Sequence, residues 1–335
     1  MSSNASATVH PYKIAATIIV GAQPEPHFDE CLQSVAEAVD YAVVDYNGHN
    51  EANYRALTSS QLYKEGRLII KESSFTDYAS ARNRTLEMLT NDTAWFMRLD
   101  ADEVHFPSLL RIITREILPN LSTKIGWLDA YWLCFFHSFK YVSKLEKRSE
   151  LFTRFRTGMR WERSIHEQLT GLEGKSAALP YVFHHYACVK SSDDVQAKRA
   201  KYVELETQEP SLQEALANDP LLEYSQDQKC SYQLKDLRSC WQSQKNNIFL
   251  YNGSFPEKVD IAWRKDPNSA PESFKAMQEE LEEFVHNSRP KPPFPQHGGK
   301  RRILFRLPYL LANLQNWEAR RQAMRLASSL TLCLP

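Results

Sequence analysis

A β-branched apolar run at residues 14–20 (IAATIIV) is followed by a stretch whose apolar residues recur at helical spacing, and then by a second apolar run. That succession admits few folds. Residues 14–20 suit a strand buried on both faces. Residues 26–39 put Phe28, Leu32, Val35 and Val39 on one helical face. A strand is expected at 41–44 and a third, RLIIK, at 67–71. Strands alternating with helices argue for an α/β, Rossmann-like core with a mainly parallel central sheet and helices on both faces. A chain of 335 residues accommodates such a core and an extension.

Open sheets of this kind bind ligands beyond the carboxyl ends of their strands. Residues 94–103, AWFMRLDADE, read as a fourth strand that ends in Asp100, Asp102 and Glu103. Carboxylates this close repel one another and are costly to desolvate, so a cation is expected among them. Hard oxygen donors suit Mn²⁺ or Mg²⁺, whose sites also take substrate phosphates. The plainer alternative is a solvated acidic turn after a core strand. Asp45 ends the second strand on the same edge, placed to accept hydrogen bonds from a ribose or a base; a turn-initiating Asp is the alternative there. In residues 73–90, Thr76 or Asp77 caps a helix with Tyr78, Ala81, Thr85 and Met88 on one stripe. Arg82 and Asn83 near its start make a candidate anion site, or Arg82 forms a surface salt bridge.

Composition removes several function classes. Formal net charge is zero, so a nucleic-acid partner is not favoured. No apolar run reaches the roughly 18 residues of a membrane span, and residues 1–13 lack the apolar core of a secretory signal. Six cysteines without C-x-x-C spacing read as free thiols in a reducing compartment, and a cytoplasmic location is expected.

Six segments in order carry a family likeness: the opening strand, VVDYNG at 43–48, FTDYASARN at 75–83, WFMRLDADE at 95–103, and later RWERSIHEQL at 160–169 with FHHYAC at 183–188. Together they resemble the family 2 glycosyltransferases of GT-A fold. More narrowly, they resemble a bacterial branch that includes lipopolysaccharide-core glucosyltransferases and peptide S-glycosyltransferases. The likeness spans residues 12–207. It departs at Ala187, where the family tends to have glycine, and in the first loop, GAQPEP, which lacks the usual asparagine–acid pair.

The resemblance implies metal-dependent, inverting transfer from a nucleotide-diphosphate sugar, by family frequency a UDP-sugar, to a glycan, lipid-linked or peptide acceptor. Asp102 is then the first-choice metal ligand. Asp100 contacts the ribose, or the metal through water, and His185 or its neighbour His184 adds a second ligand. Glu167 is the candidate base, its pKa expected to be raised in a partly apolar pocket, with Glu162 as runner-up. Alternatively Glu167 holds an arginine such as Arg163. His166 is placed to orient Glu167 or the donor phosphates, and Trp161 is an acceptor platform or core. A nucleotidyltransferase would want a Gly-rich basic loop after the first strand, and GAQPEP is neither. A non-catalytic nucleotide-sugar-binding module would be expected to lack the acids or the His-Glu pair, and both are present.

Around this core, residues 125–139 are dense in aromatics and read as a long strand or a pair of strands. Residues 151–156 alternate like an edge strand. The expected organisation is a disordered lead-in at 1–11, the transferase core at 12–207, a helical extension at 208–290, and at 291–335 a linker and basic helix. The last segment sets Lys300, Arg301, Arg302, Arg306, Arg320, Arg321 and Arg325 against Glu318, with Leu310, Leu314, Trp317 and Met324 on one face. It is read either as a helix lying on a membrane surface or as one packed on the domain.

Overall fold

The computed structural model describes residues 13–136, 139, 141–207, 222–224, 232–234, 249–251, 254–256, 304 and 306–333. The expected lead-in, the linker, Lys300, Arg301, Arg302 and most of the 208–290 extension lie outside them.

The expected opening is present. β1 (Lys13–Gly21) pairs in parallel with β2 (Tyr41–Asn47) on one side and β4 (Thr93–Asp100) on the other, and β3 (Leu68–Glu72) continues beyond β2. The crossovers run through α1 (Phe28–Val35), then α2 (Glu51–Ser59) and α3 (Gln61–Lys64), then α4 (Tyr78–Glu87). Caps are local: Asn50 accepts from Ala52 and Asn53 N–H at α2, and Asp77 accepts from Ser80 N–H at 2.8 Å at α4. Because β2 runs on to Asn47, Asp45 lies inside a strand and not at its end.

Beyond β4 the sheet becomes mixed. β5 (Glu103–Val104) and α5 (Pro107–Ile112) lead to the long hairpin of β6 (Ile125–Phe136) and β7 (Tyr141–Arg154). A small ladder of β8 (Arg160–Glu162) and β9 (Gln168–Thr170) precedes β10 (Lys175–Cys188). The order is β3-β2-β1-β4-β7-β6-β10-β5, with Phe249–Leu250 added to β7. Residues 151–156, expected at an edge, fall largely in β7, which pairs with β4 and β6.

The two faces differ in chemistry. Ile14, Ala16 and Ile18 pack with Phe28, Leu32 and Val35 of α1 and with the C-terminal helices α7 (Leu307–Ala312) and α8 (Trp317–Cys333). On the other face α4 lays Ala79 and Leu86 over Ala15, Val43 and Phe96. Each fully buried Leu, Ile or Phe contributes about 1.5–3 kcal/mol relative to exposure. Leu310 and Leu314 are buried as expected, whereas Trp317 is 71% and Met324 56% exposed. The break between α7 and α8 resets the helical phase, and α8 turns Ala319, Ala323, Leu326 and Leu330 inward instead. In 208–290 the described pieces are strands, 222–224 paired with 232–234 and Phe249–Leu250 on β7, where helices were expected.

Gly126 opens β6 where another stretch of backbone passes against it. A Cβ there would overlap the Glu173 carbonyl oxygen, and neighbouring Gly174 adopts φ +92°. Gly126→Ala is expected to lower stability by about 1–3 kcal/mol, read as a reduced melting temperature with the circular dichroism of the folded state unchanged.

Candidate active site

The chain winds from β1 outward through β2 and β3, then returns to place β4 on the other side of β1. That reversal opens a crevice between the carboxyl ends of β1 and β4. Ile19 of β1 is level with Asp45 on β2 and with Asp100 on β4, so the two acids flank one strand on a shared face. α4 covers that face with an Arg-Asn-Arg sequence, and each of the three side chains has a distinct partner.

Asp45 is buried and saturated. Arg84 Nε and Nη2 donate to its two oxygens at 2.8 and 3.0 Å, Ser73 Oγ donates at 2.8 Å and Asn47 Nδ2 at 3.1 Å. A ribose would have to displace one of these donors. Asn83 spends its amide on the backbone of Trp161, donating to the carbonyl at 2.9 Å and accepting from the N–H at 2.8 Å. Trp161 is correspondingly 2% exposed, a core residue lying beneath the guanidiniums of Arg98 and Arg82 at 4.8 and 5.6 Å.

Arg82 bridges two acids. Its Nη2 donates to Asp100 Oδ1, and its Nε donates to Glu167 Oε1 at 2.5 Å. Arg148 reaches Asp100 Oδ2 at 2.8 Å and Glu103 Oε1 at 3.0 Å, and Arg98 approaches Glu167 at 3.4 Å. Three guanidiniums thus interleave with three carboxylates. Burial alone would raise Asp100, but Arg148, Arg82 and Arg98 hold it well below the usual carboxylate range. Burial pushes Glu103 up to about 7, opposed by Arg148. For Glu167 burial is outweighed by Arg82 and Arg98, which bring it down to about 2. The expected rise in its pKa is therefore reversed. The arginines it holds are Arg82 and Arg98, arriving from α4 and β4, and not the adjacent Arg163.

Asp102 lies in the turn between β4 and β5, buried against His185 of β10 and Lys198. Its Oδ1 lies 3.4 Å from His185 Nε2, and Lys198 Nζ donates to its Oδ2 at 2.6 Å. His185 stands on β10 opposite Glu103 of β5, with its ring stacked on Trp132 at 4.4 Å and Cys134 Sγ 3.6 Å from Nδ1. Burial lowers its proton affinity, but Asp102 overrides this and raises the imidazole well above its ordinary value. Strand alternation sends His184 to the opposite face. There Tyr251 Oη donates to Ser254 O and so accepts from His184 Nε2 at 3.0 Å, leaving Nδ1 to accept from Tyr186 Oη at 2.8 Å. His184 is accordingly not part of the Asp102 cluster.

α6 (Ser192–Thr207) lies across the crevice. Besides Lys198 it brings Tyr202 onto Tyr78, the rings stacked at 5.4 Å, and Glu206 within 3.1 Å of His166 Nε2. His166, at φ +52°, therefore faces α6 and not Glu167. Glu162 is exposed and lines an open groove with Asp77, Ser80, Asn83 and Arg163. Arg98, Arg148, Lys198 and Glu25 join the cluster without having been expected there. Only Arg98 carried a local signal, a charge inside an otherwise apolar strand.

No protein-family model matches the sequence, and no curated protein matches it. Three of the solved structures it is similar to are the following. The glucosyl-3-phosphoglycerate synthase of Mycobacterium tuberculosis, in complex with Mn²⁺, UDP and phosphoglyceric acid, is matched at 11% identity and TM-score 0.29, over 36% of this chain and 43% of that one. The 4-diphosphocytidyl-2C-methyl-D-erythritol synthase of Anaerococcus prevotii is matched at 10% identity and TM-score 0.32, over 57% and 97%. A mannosyltransferase of Pyrobaculum calidifontis, in complex with GDP-Man and Mn²⁺, is matched at 11% identity and TM-score 0.38, over 98% and 89%. The chain thus spans less than half the length of the first. All three TM-scores fall below 0.5.

Among the described residues no group of three or more His, Cys, Asp and Glu side chains forms a self-sufficient metal site. Asp102, joined by His185 once the imidazole gives up its proton, could hold Mn²⁺ or Mg²⁺ as a two-ligand site. Such ions are commonly held by one or two carboxylates plus a substrate's phosphates. Among the described residues, no helix is long and apolar enough to cross a membrane.

Glu167 carries a testable consequence. Its folded pKa lies below the ordinary glutamate value, so its stabilisation is full above about pH 4.5 and is lost as the pH falls toward 2. Glu167→Gln is expected to cost on the order of 3 kcal/mol at pH 7 and to flatten acid unfolding over that window, as measured by denaturant melts at a series of pH values.

Proposed function

We propose that this chain is a family 2 glycosyltransferase of GT-A type, an inverting, metal-dependent hexosyltransferase using a nucleoside-diphosphate sugar, with UDP the first candidate. One observation carries the proposal. Asp102 and His185, from segments far apart in sequence, meet at 3.4 Å at the crevice where an open α/β sheet takes its ligand. Bound Mn²⁺ or Mg²⁺ would act there as a Lewis acid toward the departing diphosphate. Asp102 and His185 would hold the ion, and Arg82 and Arg148, fixed on Asp100, line the donor's path with positive charge.

In the step itself the acceptor oxygen or sulfur forms a bond to the anomeric carbon from the face opposite the diphosphate. The bond from that carbon to the diphosphate oxygen breaks, and its electron pair stays with the leaving nucleotide. The acceptor's proton passes to a carboxylate, for which Glu167 is the first choice and Glu162 the second. Glu167 is ionised, as a base must be, but paired with two arginines it holds a proton weakly. If Arg82 turns one of its hydrogen bonds toward the diphosphate, Glu167 regains proton affinity at the moment the donor is bound.

The acceptor is proposed to be a glycan, lipid-linked or peptide group. The outward side of α8 exposes Trp317 and Met324 beside Arg320, Arg321 and Arg325. An aromatic and cationic surface of this kind suits peripheral contact with an anionic membrane at a cytoplasmic face, where a lipid-linked acceptor would be within reach.

The test is donor binding followed by turnover. UDP or GDP with Mn²⁺ is expected to raise the melting temperature, each alone doing little, and Asp102→Asn is expected to remove the metal-dependent part. Glu167→Gln should keep nucleotide binding and slow sugar transfer at least 100-fold, measured as nucleotide release from a donor panel. Normal turnover in Glu167→Gln, together with a slow Glu162→Gln, would move the base to Glu162.

A further inference from the structure

Asp102 already has a cation. Lys198 Nζ lies 2.6 Å from Asp102 Oδ2 and 3.5 Å from Glu25 Oε1, while Lys190 Nζ meets the other Glu25 oxygen at 2.6 Å. Glu25 lies in the loop after β1 and Asp102 in the turn after β4. The ammonium group of Lys198 therefore spans the mouth of the crevice between the two strands. It is not a distant surface residue folded over the site, since its side chain is 18% exposed.

The charges on this edge are matched from within the chain. Glu25 and Asp102 face Lys190, Lys198 and His185, and Asp100, Glu103 and Glu167 face Arg82, Arg98 and Arg148. A divalent cation arriving alone meets a cluster with no surplus negative charge and an ammonium on the carboxylate it needs. A cation arriving with a diphosphate brings its own counter-charge. The cluster also keeps an unused donor, since Arg148 Nε, in a residue 5% exposed, has no hydrogen-bond partner among the described residues. Lys198 differs from the arginines in being able to leave. It sits on α6, which joins the site through side chains, and it ends a flexible four-carbon stem.

We infer that Lys198 holds the place of the donor's cation, excluding a divalent ion from Asp102 until a nucleoside diphosphate enters with it. The inference rests on the cation site of the proposal above and adds a residue and an order of binding to it. Lys198 makes metal entry conditional on donor entry, so the free protein does not load with metal.

The experiment is calorimetric titration of Mn²⁺ alone into the full chain, as wild type, Lys198→Met and Lys198→Arg, with melting temperature as the check on folding. Wild type and Lys198→Arg are expected to bind Mn²⁺ weakly, and more tightly when UDP or GDP is present. Lys198→Met is expected to bind Mn²⁺ alone at least tenfold more tightly than wild type. If the methionine variant does not fold, Lys198→Gln, which keeps a hydrogen-bond donor without the charge, carries the same expectation. Equal Mn²⁺ affinities in wild type and the uncharged variant overturn the inference and leave Lys198 a structural strap, as does tight Mn²⁺ binding by wild type without nucleotide. Failure of UDP and GDP to bind wild type under any condition tells instead against the transferase proposal, and the Mn²⁺ comparison stays readable.

Discussion

The carboxylate of Asp100, gripped by Arg82 from α4 and Arg148 from β7, ties the two halves of the sheet together at the functional edge. Without it, the end of β4 would have no partner across the crevice and three buried guanidiniums would share two acids. Breaking a buried pair by removing one partner typically costs about 3–5 kcal/mol, because the remaining charge stays desolvated. The same turn is tightened by Glu103, whose Oε2 accepts from the Asp100 N–H at 3.1 Å. Asp100 and Glu103 turn toward the arginines, whereas Asp102 between them turns toward His185 and Lys198.

Arg148 reaches that position because β7 is irregular. The pairing of β6 and β7 shifts register between Leu128 and Ala130, and Glu150 in the corresponding part of β7 adopts φ +52°. A bulged strand re-aims its side chains. In a regular hairpin Arg148 would keep a plain cross-strand place. Mixed topology and charge cluster thus belong together. The parallel half supplies Asp100 at the end of β4, and the bulged antiparallel half supplies the cation that locks it.

Much of the framework was legible because its signals are local. Apolar runs marked the first four strands, a capping residue and the stripe of Tyr78, Ala81, Thr85 and Met88 marked α4, and clustered acids after an apolar run marked the edge where the crevice lies. The partners of those acids were not legible, because they come from far along the chain. Arg82 and Glu167 are separated by 85 positions, Asn83 and Trp161 by 78, and Asp102 and Lys198 by 96. Asp45 looked available for the same reason, as nothing nearby announces that Arg84 will cover both its oxygens. The phase of the last helix was misread because the short break after α7 is invisible to a periodicity extended across it.

The back of β10 bears on how the molecule can be divided. His184 is clasped by Tyr186 and Tyr251, Phe255 packs on Phe135 beneath them, and the stripe of α8 that faces inward shares one core with β1. His185, the very next residue, inherits its pose from that clasp. Grafting the crevice onto another carrier would therefore require bringing these later segments along, and a substitution in them becomes a remote dial on the imidazole next to Asp102.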